Sequence, residues 1–227
     1  MPEFAIDTGL LDDVRQRFVG LNVRWVLGGA GSGKSTVTQE VCGRTPSIDH
    51  VDMDAHIYGR FFGRYDRQRH PASCAWLLDD KPLDWILSLP TLHAYDAHQR
   101  AMTVEVLDLL VDDLRKTPST PVLVDGGLTH PSVLAEVLPA TRIVVLAVDK
   151  DESRRLWTED ERRRQMKADV LMLDDGAHKW ETFLACDAHL HDVMLQEAAA
   201  AGMAVVHRNG RSVDDVVLEV EHLLWRR

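Results

Sequence analysis

Residues 23–36 read VRWVLGGAGSGKST, and the fold is decided within them. Val23 to Leu27 form a short run rich in β-branched and aromatic side chains, the pattern of a buried strand. The nine residues that follow, Gly28, Gly29, Ala30, Gly31, Ser32, Gly33, Lys34, Ser35 and Thr36, contain a full match to G-x-x-x-x-G-K-[ST]. Small residues in such a loop let consecutive backbone N–H groups converge on phosphate oxygens, and the N-terminus of the next helix adds positive potential. In that chemistry Lys34 bridges the terminal phosphates of ATP or GTP and Ser35 ligates Mg²⁺. A glycine-rich turn matching by chance would have no reason to lie between an apolar strand and a helix. Here the helix is expected from Lys34 to about Cys42, with Gly43 ending it.

Working outward, a second strand is expected at Ile48 to Val51, leaving through Asp52, Met53 and Asp54. From about Ala94 to Lys116, apolar residues recur at three-and-four spacing (Ala101, Val104, Leu107, Val111, Leu114), which predicts a long helix with its acids on the other face. PVLVD at 121–125 and RIVVLAV at 142–148 read as fully buried strands, with a short helix from Pro131 to Leu138 between them. A charged segment follows, then a helix from about Trp180 to Ala201, a strand at Met203 to His207 and a last helix. That helix opens on Ser212 with Asp215 as a capping pair, and its stripe is Val213, Val217, Val220 and Leu224. Strands alternating with amphipathic helices predict an α/β chain with a parallel sheet covered by helices. Residues 59–89 have no clean period and receive no assignment.

The chain has 227 residues, 45% apolar and 27% charged, which suits one domain over 1–227 rather than two. No apolar run approaches the roughly 18 residues of a membrane span. The first residues, MPEFAIDTGLLDDVRQRF, put acids where a secretory signal needs a basic start, so the expected compartment is the cytoplasm, with no membrane partner. A formal net charge of −10 opposes general binding to nucleic acid. Cys42, Cys74 and Cys186 form no CxxC pair and read as reduced core thiols. Oligomeric state has no signature in the sequence, and a homodimer is compatible with it.

Asp125, at the end of the 121–125 strand, is placed where a carboxylate can hold Mg²⁺ or its water, although Asp-Gly is also a common turn signal. Gly126 and Gly127 behind it leave room for a ligand against the backbone.

With the GGAGSGKST loop, the Asp52-Met53-Asp54 pair, the VLVDGG strand end and an arginine-rich insert before the last helices, the sequence resembles the small P-loop kinases. These are the nucleoside monophosphate kinase-like group that includes shikimate kinase, gluconate kinase and chloramphenicol phosphotransferase. The resemblance runs along nearly the whole chain as an order of elements, and its one individually specific motif is the loop. It implies the three-layer P-loop fold, a five-stranded parallel sheet flanked by helices, with a mobile lid at about 150–167. It also implies ATP and Mg²⁺ as cofactors and a small-molecule hydroxyl acceptor. One of Asp52 and Asp54 would then take the proton of the acceptor hydroxyl while the other helps position Mg²⁺ or substrate, Asp54 being preferred as base. From the lid, which holds Arg154, Arg155, Arg162, Arg163 and Arg164, Arg155 and Arg162 are expected to meet the transferring phosphoryl group, as they lie two turns apart on one helical face. The alternative is an exposed helix laced with weak ion pairs. The acceptor pocket falls to Arg60, Arg64, Tyr95, His98 and Arg100, and arginines there would suit an anionic acceptor.

His189 and His191, and His93 and His98 near Asp96, lack metal-ligand spacing and read as unconnected histidines. The six tryptophans read as core. The leading function is an ATP-dependent phosphotransferase acting on a hydroxyl of a small polar metabolite or antibiotic. Beside it stand a nucleotide-switch or regulatory ATPase without a small acceptor, a nucleoside monophosphate kinase, and a polynucleotide 5′-kinase, which the acidic charge opposes. A signalling GTPase would need N-K-x-D, and Asp149-Lys150-Asp151-Glu152 fails at its first and last positions.

Overall fold

A computed structural model describes residues 3–117 and 120–225, the side chain of Arg162 excepted. Helix α1 (Thr8–Phe18) precedes strand β1 (Val23–Gly28), the glycine loop and α2 (Lys34–Arg44). Strand β2 (Asp49–Asp52) leads into a one-turn α3 (Met53–Ala55), a π-turn at His56–Arg60, α4 (Pro71–Leu77), α5 (Pro82–Leu87) and the long α6 (Leu92–Leu114). Then come β3 (Val122–Asp125), α7 (Pro131–Ala135), β4 (Ile143–Ala147), α8 (Lys150–Glu159), α9 (Arg164–Leu171), α10 (Gly176–Ala200), β5 (Ala204–His207) and α11 (Val213–Trp225).

All strand pairs are parallel, in the order β2-β3-β1-β4-β5. The fold is therefore the three-layer P-loop α/β fold that the sequence predicts. Successive strand side chains alternate between faces, and the core splits accordingly. Trp25, Val124, Ile143 and Val145 enter a cluster with α1, α6 and α10, while Val26, Leu123, Val144 and Leu146 enter one with α2 and α11. Helices covering both faces explain why the three central strands are almost wholly apolar, Arg24 of β1 and Asp125 at the end of β3 being the charged exceptions.

Four expectations change. Residues 59–89, unassigned in sequence, form short helices, each of α4 and α5 opened by a proline. Helix α1 was not read from the sequence at all; Asp7 caps it, accepting from Leu10 N–H at 2.9 Å. Gly43 does not stop α2, which runs on to Arg44 and leaves through Thr45. The acids of α6 do not all face solvent, because α4 crosses its polar side. Glu105 is buried and caps α4, accepting from Ala72 N–H at 2.9 Å and Ser73 N–H at 2.6 Å. Asp108 is buried against Arg17, Arg69 and His70. The Ser212 cap is present, with Asp215 N–H donating to its Oγ at 3.1 Å.

Register places the chemistry. Asp52 pairs with Asp125, and Asp125 with Val26 of β1, so the carboxyl ends of β1, β2 and β3 open on one edge. That edge is where ligands bind in open α/β sheets.

Candidate active site

Gly31 and Gly33 both take positive φ, +82° and +84°, and this turns the loop around the N-terminus of α2. Beneath it lies Asp125, with 1% of its surface exposed. Its Oδ2 accepts from Thr38 Oγ1 at 3.0 Å. Its Oδ1 is buried without a hydrogen-bond partner: His50 Nε2 stands 3.4 Å away, misaligned for a bond. Burial pushes the carboxyl up, but His50, Ser35 and Thr38 outweigh it and hold the group below its ordinary range. A buried, ionised oxygen left over beside Ser35 fits a divalent cation held by Ser35 and Asp125.

Two clefts meet at Lys34. The larger, of ≈ 650 Å³, runs over Gly31, Gly33, Ser35 and Thr36, and is covered by residues of α8, α9 and the link between them. The approach is close: a β-carbon at Gly31 would stand 2.2 Å from Leu156 Cδ1. Arg163 lines this cleft with its guanidinium over the Trp157 ring, 4.2 Å from the centroid. Arg208, at the exit of β5, lines it from the other side and donates to Gly31 O at 3.0 Å.

The smaller cleft, of ≈ 190 Å³, lies on the opposite side of the loop, between α3, α6 and α10. Asp54 enters it from α3, with Oδ2 3.7 Å from Lys34 Nζ. Its side chain opens to solvent on one side and is crowded by protein on the others. That crowding pushes its carboxyl up; Lys34 opposes the shift, and the charges of Asp52 and Asp125 add to it. Tyr58, Trp76 and Tyr95 form aromatic walls, and Asp187 and His191 reach in from one face of α10. Crowding, then the charge of Asp54, push the Tyr58 phenol up to about 12, so it remains a donor.

The structure thus gathers Lys34, Ser35, Asp54, Asp125, Gly126 and Gly127 from the sequence-predicted set around one edge. Asp52 sits at the same edge but spends Oδ1 on capping α3, accepting from Ala55 N–H at 3.0 Å. Several arginines are placed elsewhere. Arg60 and Arg64 donate to Asp113, each at 2.9 Å, and line neither cleft, because the π-turn carries them toward the far end of α6. Arg100 is held by Asp96 at 2.9 Å and by Glu197, and His98 is buried against Ala72 O at 3.0 Å. Arg155 pairs with Glu152 of its own helix at 2.7 Å and does not line the nucleotide-side cleft. The continuous helix expected across residues 155–162 does not form, since α8 ends at Glu159 and Asp160 is extended. The Arg162 side chain lies outside the described residues. Of the described arginines in residues 150–167, Arg163 is the one that lines the cleft.

Sequence reasoning missed Thr38, His50, Arg208 and Asp187, and it named Arg163 in the arginine-rich segment while preferring Arg155 and Arg162. Two of these had legible signals. Arg208 immediately follows a strand's carboxyl end, and Asp187 stands four residues before His191, a spacing that puts both on one face of a helix. Reading His191 beside His189 obscured this, because His189 turns instead to Asp96, 3.3 Å away.

No family model matches the chain, and no curated protein does. Among solved structures, the shikimate kinase from Acinetobacter baumannii in complex with shikimate is similar at a TM-score of 0.48 and 14% identity, over 92% of this chain and 96% of that one. Loop, sheet order and covering helices make this a P-loop α/β fold.

Proposed function

We propose that this chain is an ATP-dependent phosphotransferase that moves the γ-phosphoryl group to a hydroxyl of a small molecule. The observation that carries the reading is the junction of the two clefts at Lys34, with Asp54 3.7 Å away on the far side. A nucleotide laid along the loop brings its terminal phosphate to Lys34, and a hydroxyl in the smaller cleft faces both that phosphate and Asp54. Asp54 orients the hydroxyl and takes its proton as the oxygen attacks phosphorus and the bond to the β-phosphate oxygen breaks, releasing ADP. Crowding around Asp54 raises its basicity toward the operating range of a general base.

Ser35 and Asp125 are the residues that would hold Mg²⁺, which neutralises charge on the β- and γ-oxygens when bound. Thr38 holds the Asp125 carboxylate through its hydroxyl, and His50 stands beside it. Arg163 and Arg208 supply positive charge along the nucleotide side, in place of Arg155. Residues 150–167 act as a lid over the loop within a single domain, with Leu156 and Trp157 excluding water from the transfer.

The test is mass spectrometry of mixed nucleosides, sugars, amino alcohols and hydroxy acids after incubation with Mg²⁺ and ATP. A compound that gains one phosphoryl group, with the gain lost in Lys34→Ala and strongly reduced in Asp54→Asn, supports the reading. ATP binding with no acceptor gaining mass would leave a regulatory ATPase instead.

A further inference from the structure

We propose that the acceptor is a non-anionic, amphipathic alcohol: its apolar body lies against Tyr58, Trp76 and Met194, its reacting hydroxyl meets Asp54, and a second polar group, an amine or hydroxyl, is received by Asp187. This deepens the phosphotransferase reading and rests on it.

The charge inventory of the smaller cleft carries the argument. Among the described residues that line it, the charged side chains are Lys34, Asp54 and Asp187. With a nucleotide in place the Lys34 ammonium serves phosphate, and what faces the acceptor is acidic. A bound carboxylate or phosphate needs a guanidinium or ammonium of its own, and without one it keeps most of its desolvation cost. The arginines on the elements around it are held by other carboxylates, and Arg163, whose charge acts on Asp187, lines the larger cleft over the Trp157 ring. Arg60 and Arg64 go to Asp113, Arg69 to Asp108 at 2.7 Å, and Arg100 to Asp96 and Glu197. The neutral polar groups in the lining, Gln99 and Thr129, can orient hydroxyls but supply no counter-charge.

Asp187 gives the site its second polar contact. It projects from α10 into the cleft and accepts from Ser153 Oγ of α8 at 3.1 Å, and the Trp157 indole, Arg163 and His191 also stand near enough to favour its charged form. Burial among these elements raises its carboxyl above the ordinary range, as expected where the charge lacks full compensation. A ligand N–H or O–H supplies part of what is missing. Tyr58 and Trp76, edge to face with ring centroids 6.0 Å apart, give an angled aromatic corner whose ring faces also tolerate a cation.

Matched acceptors separate the possibilities. The aromatic set is 2-amino-1-phenylethanol, 1-phenylethane-1,2-diol and mandelate, which share a benzylic hydroxyl; the aliphatic set is 3-aminopropane-1,2-diol, glycerol and glycerate. With the full chain, Mg²⁺ and ATP, the amine and diol of each set should exceed the carboxylate by about tenfold or more in kcat/KM, and the aromatic set should exceed the aliphatic one. Asp187→Asn should lower the ratio of amine to diol by about tenfold. Mandelate or glycerate as the preferred acceptor overturns the proposal and leaves the phosphotransferase reading standing. An unchanged amine-to-diol ratio in Asp187→Asn overturns the role of Asp187. If none of the six gains a phosphoryl group, thermal stabilisation by each is measured with Mg²⁺ and a non-hydrolysable ATP analogue bound. Stabilisation by amine and diol but not mandelate then upholds the acceptor class and counts against transfer; any other order overturns it.

Discussion

Gly126→Ala isolates the junction between the clefts from the rest of the fold. Gly126 follows Asp125 with φ +66°, and its peptide is fixed from both sides: its N–H donates to Val26 O at 3.2 Å, and its carbonyl accepts from Trp25 Nε1 at 3.2 Å. The backbone therefore cannot swing away to relieve a side chain. An alanine there holds a left-handed conformation at a cost of about 1–2 kcal/mol. Its β-carbon would stand 2.7 Å from Lys34 Cε and 2.9 Å from Asp54 Oδ2, the far ends of two flexible side chains. These tips can retreat, so the steric term falls on their placement more than on stability. Ordinary contact needs roughly 0.5–1 Å more room, and a displacement of that size at a reacting centre costs about 10²-fold in rate. The expected result is a loss of about 1–2 kcal/mol by urea unfolding together with a fall of about 10²-fold in Mg²⁺-dependent ATP turnover. Gly127→Ala is the control: its β-carbon would meet Met53 Cβ at 2.3 Å, inside the core, and it should lose more stability than Gly126→Ala. If Gly126→Ala loses the calculated stability yet keeps turnover within about threefold, then Lys34 and Asp54 are not the reacting pair.

Three further outcomes are expected. Asp108→Ala leaves Arg17, Arg69 and His70 without their shared carboxylate and should cost about 3 kcal/mol in urea unfolding; a loss under about 1 kcal/mol would mean that this buried network contributes little. His98 is buried neutral, its imidazole pushed down to about 4 by burial, so the unfolded chain takes up the proton first as pH falls below about 6.5 and the folded state loses stability between there and about 4. His98→Gln should remove about 2 kcal/mol of the difference in stability between pH 7.5 and pH 5, and an unchanged pH dependence would contradict the assignment. Tryptic cleavage between Lys150 and Lys167 should slow when Mg²⁺ and ATP are added, and equal rates with and without nucleotide would count against closure of α8 and α9 over the loop.

The parts of the fold legible in sequence are those whose signals are local. All five strands fall within two residues of the bounds read from sequence; β3 and β4 are the plainest, as apolar runs covered on both faces, whereas edge strand β2, Asp-His-Val-Asp, is placed by the proline before it and the acids after it. The region between β2 and α6 stayed unread because its helices are short and are held by α6 rather than by their own pattern; Glu105, fixing the start of α4, is far away in sequence. At the site, the loop and Asp125 were visible as motif and strand end. The arginines were misplaced because a guanidinium's reach says nothing about which carboxylate claims it, and Asp113, Glu197 and Glu152 claim four of them, Arg60, Arg64, Arg100 and Arg155.

By itself, then, the sequence determined the glycine loop, the parallel sheet and the strand edge that carries the candidate site, since these follow from small-residue spacing and the two periods of backbone structure. Only the tertiary structure decided that Lys34 joins two clefts, that Asp54 rather than Asp52 faces the smaller one, and that this cleft carries no arginine among its described lining residues. The physical reason is that charge pairing is settled by distance in space. A sequence shows how many ionic groups the chain holds, and packing decides which of them remain uncommitted where a ligand enters.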